Sequence, residues 1–466
     1  MKEYIFPVKV VESSLATGAE NLLTRQTLQI GLSERKTAAI QKGGHMILDF
    51  GQEMSGGVRI LSASRQSTRV RIRFGESLTE CCAELSGNQN ATNDHGLRDM
   101  EADLPMLSDT TLGNTGFRFV RLDFLDDGLL KTVVAVNHIL KKPALYRYNG
   151  ADERIHHIYK AAKRTIDLCA AGPFVWDGVK RDRLVWIGDL HPEMLALTTL
   201  YGRLPAIERA LEFAKEQTPL PGWMNNISMY SLWWIIILAD YCEATGTDAF
   251  ARRQLDYLQG ILQQMDGCVK DDGTLAYPSY FVDWPTKGLP DALHGARAIN
   301  VLATKKAIAL LAKFGSDTTL AEGILTRLMQ VEIAPESSKQ VLGLKHFAVG
   351  LTEEDKAKLL DGGAQGMSTF MSYYILSAVA SFDKPAAIEM MKQYYGAMLD
   401  LSATTFWEDF DLRWAKNACP IDRFPAPGQT DIHGDYGAYC YKGFRHSLCH
   451  GWSAGVLQFM KENCEW

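Results

Sequence analysis

The sequence predicts a two-domain protein in which a β-sandwich over residues 1–145 precedes an all-helical domain over residues 146–466. Short segments with a period of two dominate the first third of the chain, whereas apolar residues recur every three to four positions after Ala144. A chain of 466 residues also exceeds what one ordinary hydrophobic core organises, so a division into two domains is expected.

The first domain is predicted to consist of short strands. The clearest strand covers 68–74, where Val70, Ile72 and Phe74 alternate with arginines and therefore face one side of a sheet. Further strands are predicted at 45–50, 57–62, 117–124 and 132–136. The polar segment 86–114 is predicted to be a long loop. Several strands without a helical period favour a sandwich.

The second domain is predicted to contain about eleven helices of ordinary length. The first covers 151–171, where Ile155, Ile158 and Ala162 fall on one apolar stripe. The others are predicted at 191–201, 204–217, 227–245, 249–265, 291–314, 319–331, 353–360, 365–381, 385–399 and 444–461. So many helices, separated by glycine and proline, favour helical hairpins closed into a toroid.

The composition excludes several classes of partner. A net charge of −6 and a pI near 6.0, without a basic run, argue against a dedicated nucleic-acid binder. The longest apolar run, 232–239, is far too short to span a bilayer. We therefore expect neither nucleic acid nor a membrane as a partner, and the sequence predicts no oligomeric state.

The nine cysteines are scattered and follow no repeated spacing. Because there is no CxxC pair, the sequence predicts neither a metal site nor a redox cofactor. Scattered cysteines favour a reducing compartment. The first residues contain no apolar signal region, although a signal already removed would leave the same picture. We expect a cytoplasmic or periplasmic protein.

Carboxylates, cations and tryptophans are concentrated at 176–193, which reads WDGVKRDRLVWIGDLHPE. Charged groups beside large apolar ones are costly to bury unless they are paired. A sugar-cleaving site needs this mixture, with carboxylates for proton transfer and aromatic faces for the C–H surface of the sugar. A salt-bridged loop between two helices would explain the segment equally well.

Acidic, aromatic and histidine residues cluster again later in the chain, at 277–285, 402–414, 430–437 and 448–455. Each cluster by itself has a simpler explanation, such as a helix cap beside a packed ring or a histidine satisfied in the core. Together, on loops of one helical domain, they indicate a shared site. The candidates they add are Asp283, Trp284, Trp407, Glu408 and His450.

The motifs in these clusters resemble those of the family 78 glycoside hydrolases, the inverting α-L-rhamnosidases. The spacing Asp177-x-x-x-Arg181-Asp182-Arg183-Leu184-x-Trp186-x-Gly188-Asp189 resembles the family's signature, as do 403–408 (ATTFWE) and 281–284 (FVDW). In the first domain, 48–53, 74–77 and 116–120 resemble the β-sandwich that precedes the family's barrel. The resemblance covers most of the chain and implies an (α/α)6 barrel.

The resemblance also implies roles for individual residues. Glu408 matches the general base that activates water, and Asp177 and Asp189 match acids that hold sugar hydroxyls. Arg181 and Trp186 match positions that line the same pocket. For Asp283, Trp284, Trp407 and His450 we expect contacts with the substrate.

The sequence differs from the family's usual pattern at the position of the general acid. Asp182 stands where the family usually has a glutamate, and an aspartate is shorter by one methylene, or roughly 1.5 Å. Glu193, one helical turn after Asp189, is the alternative proton donor. Its place just after Pro192 is equally well explained as an acid favoured in the first turn of a helix.

The function implied is the removal of terminal α-L-rhamnose from glycosides or oligosaccharides by two carboxylates, with carbohydrate as partner and without a cofactor. Another (α/α)6 glycosidase, acting on an unsaturated uronide or a different deoxy-sugar, is an alternative. A catalytically silent carbohydrate-binding relative is a second alternative, and the aspartate at 182 is the observation that favours it.

Overall fold

The structure, a computed structural model, describes residues 2–437 and 442–464. It begins with a largely antiparallel sheet whose seven strands, within the described residues, are ordered β1-β7-β3-β6-β4-β5, with β2 paired to β3. The strands are β1 (Lys2–Ile5), β2 (Lys9–Thr17), β3 (Ala38–Ser62), β4 (Thr68–Gly75), β5 (Asp99–Leu104), β6 (Asp109–Phe124) and β7 (Gly128–His138). A short helix, α1 (Leu78–Cys82), follows β4.

The alternation predicted for β4 is confirmed. Val70, Ile72 and Phe74 are fully buried, and the Phe74 ring lies 5.0 Å from that of Phe117 on β6. The opposite face is stabilised by cross-strand ion pairs, among them Arg71 with Asp99 of β5 at 2.6 Å. The sheet domain therefore has an apolar core on one face and paired charges on the other.

The prediction of one long loop over 86–114 is wrong in its second half. Residues 99–104 form β5 along β4, and residues 109–124 form the long β6. The segment DMEADL of β5 lacks β-branched residues because an edge strand buries little, so its signal in the sequence is weak. The remaining piece, 86–98, is a loop that reaches towards the helical domain.

The helical part of the chain is close to the prediction. Its helices are α2 (Glu153–Cys169), α3 (Ile187–Tyr201), α4 (Pro205–Gln217), α5 (Ser228–Thr245), α6 (Asp248–Arg252), α7 (Leu255–Cys268), α8 (Asp291–Lys313), α9 (Thr319–Leu328), α10 (Lys339–Val349), α11 (Glu353–Leu360), α12 (Ser372–Ala380), α13 (Lys384–Asp400) and α14 (Val456–Asn463). None of the described helices is both long and apolar enough to cross a bilayer. The eight cysteines of the described residues are free, and Cys440 lies outside them.

Several helix boundaries differ from the prediction. The helix predicted at 249–265 is divided into α6 and α7, α12 begins seven residues later than expected, and α14 begins only at Val456. The helix α3 begins at Ile187 rather than at 191, because Pro192 removes only one hydrogen bond, to the carbonyl of Gly188. Glu193 therefore lies in the second turn of α3, not in its first.

One helix, α10, was absent from the prediction, and a glycine explains why. Gly343 lowers the helical signal of 339–349, since glycine disfavours helices. In the fold this glycine is required, because a Cβ there would come within 2.9 Å of the Ile375 nitrogen on α12. A residue that argues against a helix in the sequence thus allows two helices to pack closely.

The helices pack in a sequential order. α3 packs against α5, α5 against α8, α8 against α10 and α10 against α12, while α14 contacts both α12 and α3. Their buried residues form one core with Trp233, Trp234 and Trp407 among its largest side chains.

Polar contacts join the sheet domain to the helical domain. The guanidinium of Arg118 on β6 pairs with Asp49 at 2.9 Å and donates to the carbonyl of Ser402 at 3.1 Å. The Glu53 amide donates to the Thr404 hydroxyl at 2.9 Å. Both acceptors lie just ahead of Glu408, so the sheet domain supports a segment of the candidate site.

Candidate active site

A cavity of about 320 Å³ opens in the helical domain where the predicted clusters meet. Seven of the predicted site residues line it, namely Asp177, Asp182, Trp186, Asp189, Trp284, Glu408 and His450. They come from segments more than two hundred residues apart in sequence. The structure therefore brings the clusters around residues 177, 283, 408 and 450 to one place.

A single guanidinium connects the two carboxyls expected to perform the chemistry. Arg181 Nη2 donates to both carboxylate oxygens of Glu408 at 2.5 Å, and Arg181 Nη1 lies 2.9 Å from Asp182 Oδ1. Arg181 is itself buried and also donates to the carbonyl of Arg445 at 2.8 Å. It lies behind the carboxyls rather than on the cavity wall, and it holds both in position.

Glu408 is fixed by backbone as well as side-chain contacts. The Ser447 amide donates to its carboxylate at 3.1 Å, and the Glu408 amide donates to the Ser447 carbonyl at 2.9 Å. The Glu408 carbonyl accepts from the Thr369 hydroxyl at 2.5 Å and from the Trp452 indole at 2.9 Å. A carboxyl group that accepts from both a guanidinium and a backbone amide is held in one orientation, as a base must be.

His450 lies among three carboxyls at slightly more than hydrogen-bond distance. Its Nε2 is 3.7 Å from Asp177, 3.9 Å from Asp189 and 3.9 Å from Glu408. Burial holds the pKa of His450 well below its ordinary value, so the ring is neutral at neutral pH. A neutral imidazole can both donate and accept, which suits recognition of a sugar hydroxyl.

Asp177 and Asp189 are buried carboxyls with few donors around them. Asp177 accepts from the Leu184 amide at 2.9 Å, and Asp189 accepts from the Tyr230 hydroxyl at 3.2 Å. Burial raises the pKa of both well above the ordinary aspartate value, and neighbouring carboxylates raise it further. Each can therefore carry a proton near neutrality.

Asp182 is held quite differently, on a strained turn. Asp182 and Arg183 both have left-handed backbone conformations, with φ of 54° and 57°. The Asp182 side chain is 10% exposed and contacts His95 Nε2 at 3.3 Å, on a loop of the sheet domain. The arginine next in sequence turns away, because Arg183 donates to the Asn114 carbonyl at 2.9 Å and lies over the Trp176 ring.

Besides Arg181, three predicted residues lie outside the cavity wall. Asp283 caps the turn after it by accepting from the Trp284 amide at 2.7 Å and from the Ser368 hydroxyl, and burial raises its pKa to about 7. Trp407 is buried against Phe410. Glu193 is 1% exposed beneath Gly451, and burial raises its pKa well above the ordinary value. Each of the three supports residues that face the cavity.

The wall opposite the carboxyls is aromatic. Trp186 and Phe281 both pack against the Tyr230 ring, and Phe281 also packs edge-on to Trp284. Lys287 lies 4.7 Å over the Trp284 ring at the exposed rim. Such a wall offers apolar surface to the C–H face of a sugar.

Sequence reasoning missed several residues of the cavity. Tyr230 lies on the apolar helix α5, where a core position is the natural interpretation. Asn226, Ile227, Ser279 and Lys287 carried no motif at all, although they line the cavity. His95 lies in a loop of the other domain. Only the tertiary contacts reveal these residues.

A buried ionic cluster lies beneath the site. Glu76, Glu80 and His433 offer ligand-type atoms within 4.8 Å of one another. The ammonium of Lys180 lies 3.0 Å from Glu76 and 3.1 Å from Glu80, so the chain supplies a cation at this place. Because Lys180 also donates to the carbonyls of Phe444 and His446, it joins the sheet domain to the segment before Ser447.

Comparisons with known proteins agree with this architecture. Residues 40–139 match the family model for the bacterial alpha-L-rhamnosidase concanavalin-like domain. The comparison with curated proteins gives no match.

Solved structures with this fold include three rhamnosidases. A rhamnosidase from Klebsiella oxytoca with rhamnose bound superimposes with a TM-score of 0.76 at 19% identity, over 99% of this chain and 96% of that chain. A family 78 rhamnosidase of Bacillus sp. GL1 gives a TM-score of 0.70 at 18% identity, over 95% and 48%. An α-L-rhamnosidase from Aspergillus terreus gives 0.68 at 14%, over 91% and 53%.

The present chain thus spans nearly all of the first of these proteins and about half of the other two. At these identities the likeness establishes the fold. Together with the match of the sheet domain, it confirms the resemblance indicated by the motifs: this chain has the fold of the family 78 α-L-rhamnosidases.

Proposed function

We propose that the protein is a glycoside hydrolase that removes terminal α-L-rhamnose with inversion. The observation that carries the proposal is the cavity in which Glu408 and Asp182, joined by Arg181, face an aromatic wall. An acid and a base that can flank a glycosidic bond, together with apolar surface for the sugar, are what cleavage of a deoxy-sugar glycoside requires.

We also propose that residues 1–145 form a β-sandwich and that residues 146–466 form an (α/α)6 barrel. The packing of α3, α5, α8, α10, α12 and α14 supports a closed ring, since the last of these helices returns to the first. The helices between them in sequence would then form the outer layer.

In the proposed reaction, Glu408 removes a proton from a water molecule whose oxygen attacks the anomeric carbon. The bond from that carbon to the glycosidic oxygen breaks, and Asp182 donates a proton to the departing oxygen. Inverting enzymes place the two carboxyls about 6.5–9.5 Å apart to leave room for the water. Contact of both groups with one guanidinium is compatible with such a separation.

The wall of the cavity favours rhamnose over a uronide. Ile227, Phe281 and the tryptophans offer apolar surface to a C5 methyl group. Among the described lining residues, Lys287 is the only lysine or arginine, and it lies at the exposed rim. A uronide carboxylate held deep in the cavity would lack a cationic partner there.

The test is a side-by-side assay of the purified protein on an aryl α-L-rhamnoside and an aryl glucuronide. We expect turnover of the rhamnoside alone, with the β-anomer of rhamnose as the first product seen by NMR. Turnover of the glucuronide would favour the uronide alternative. Rhamnose binding without any turnover would favour a silent relative.

A further inference from the structure

We propose that His95, on a loop of the sheet domain, is a proton-relay residue that reloads Asp182 between turnovers. The inference rests on the proposed function and deepens it. It starts from one contact between the domains: His95 Nε2 lies 3.3 Å from Asp182 Oδ1, the same carboxyl oxygen that lies 2.9 Å from Arg181 Nη1. His95 is a positioning residue, since it acts on the substrate only through Asp182.

Asp182 needs a partner that returns its proton after each turnover. After each cleavage the acid is left as an anion, and it must regain a proton before the next cycle. The side chain is only 10% exposed, so direct contact with bulk water is restricted.

The other titratable groups around Asp182 are poor proton carriers between this carboxyl and solvent. Asp177, Asp189 and His450 face it from the cavity, and all three are buried. A neutral His450 has no proton to spare without becoming an imidazolide, because burial holds its pKa well below the ordinary value. Asp182 lines the cavity, so a sugar bound there would limit access of water from that side. The contact with His95 then offers a second route to solvent, through the sheet domain.

His95 has the exposure and the chemistry for this role. Its side chain is 32% exposed, and imidazole is the side chain that exchanges protons readily near neutral pH. Two carboxyl groups flank it, Asp182 at 3.3 Å and Asp94 at 3.7 Å. A histidine that is exposed to solvent on one side and contacts Asp182 on the other connects this carboxyl with solvent.

The loop that carries His95 is held in place. His95 has a left-handed backbone with φ of 67°, and the adjacent Asp94 pairs with Arg445 at 2.6 Å. Asn93 accepts from the amides of Arg98 and Asp99, each at 3.1 Å. Arg445 in turn provides the carbonyl that binds Arg181, so the loop and the catalytic arginine share a support.

The protons gained and lost in one turnover balance. Asp182 gives its proton to the glycosidic oxygen as the bond to the anomeric carbon breaks, and Glu408 takes one proton from the attacking water. The Asp182 anion then takes a proton from the His95 imidazolium, which regains one from solvent. Glu408 releases its proton to solvent, and the net reaction is hydrolysis.

The first experiment compares wild type with His95→Gln on phenyl and 4-nitrophenyl α-L-rhamnosides across pH. We expect turnover of the phenyl glycoside, which needs the acid, to fall about ten- to a hundredfold, and that of the nitrophenyl glycoside to change by less than about threefold. The basic limb of the kcat profile should move to lower pH by about one unit, and added imidazole should restore part of the rate. His157→Gln, an exposed histidine on α2, is the matched control and should change none of these.

The second experiment does not depend on activity. NMR titration of histidine-labelled protein, with His95 assigned through His95→Gln, should show a different midpoint in Asp182→Asn than in wild type, because the two side chains are in contact. An unchanged midpoint would overturn the relay even if the protein cleaves no rhamnoside. Equal loss on both substrates with an unmoved pH profile would also overturn it, since a merely structural role predicts that result.

Discussion

Glu408 and Asp182 share one guanidinium but are held in contrasting ways. Glu408 is buried, takes its contacts from segments of the helical domain, and is fixed through backbone amides and carbonyls on both sides. Asp182 lies on a left-handed turn, is partly exposed, and contacts a histidine from the sheet domain. Both groups gain and lose a proton in every cycle, but the base must hold the attacking water in one orientation, whereas the acid must reach the departing oxygen. The firmer support of Glu408 matches the first of these tasks.

The largest loss of turnover is expected from substitution of Glu408, the more firmly held carboxyl of this pair. Glu408→Gln keeps the shape and several hydrogen bonds but cannot accept the proton of water, so turnover should fall by about a hundredfold to ten-thousandfold. Rhamnose binding, measured by calorimetry, should remain. Glu389→Gln, an exposed glutamate on α13, is the control. Near-normal turnover of Glu408→Gln would remove this residue from the role of base.

The ionic cluster under Glu408 should matter for stability. Lys180→Met leaves Glu76 and Glu80 without their buried cation, which should cost about 3–5 kcal/mol in the free energy of unfolding near pH 7.5. Burial raises the pKa of Glu76 to about 7 even though Lys180 lowers it, and without Lys180 that pKa rises further. A raised pKa makes folding less favourable as pH rises, so the loss should be smaller at pH 5.

Urea unfolding at both pH values measures this effect. Lys392→Met, which breaks a half-exposed pair with Asp152, is the control and should cost less than about 1 kcal/mol. A loss for Lys180→Met that is small and equal at both pH values would mean that the cluster does not depend on its lysine.

The role of Asp182 as the general acid is tested by comparing substrates with different leaving groups. Asp182→Asn should lower turnover of an unactivated rhamnoside about ten- to a hundredfold and largely spare an activated aryl one, because only the former needs a proton donor. Glu193→Gln should affect the two substrates equally, since Glu193 lies beneath the cavity wall. If Glu193→Gln rather than Asp182→Asn separates the substrates, the proton donor is Glu193.

The smallest effect is expected at Asp283, which supports the aromatic wall. Burial raises its pKa to about 7, so the folded state binds a proton that the unfolded state has released. Its contribution to stability is therefore present near pH 4 and is lost as pH rises towards 7. The stability of wild type relative to Asp283→Asn should fall by about 2 kcal/mol between pH 5 and pH 7 in thermal or urea unfolding. A pH-independent difference would contradict the buried, protonated state.

The sequence by itself indicated a sheet part followed by a helical part, and it identified half of the residues that line the cavity. Period-two segments identified β4, an apolar stripe identified α2, and motifs identified Asp177, Asp189 and Glu408. Such features are local, since a strand or an amphipathic helix depends on residues a few positions apart. A motif is likewise local, because its residues lie at fixed spacings within one short segment.

Only the tertiary structure decided what depends on distant segments. The helix around Gly343, the edge strand β5 and the partnership of Tyr230 with Asp189 all arise from packing, which overrides weak local preference. The contact of His95 with Asp182 joins residues that are 87 positions apart, on different domains. No local pattern encodes such a contact, because the approach of two loops follows from how whole domains dock.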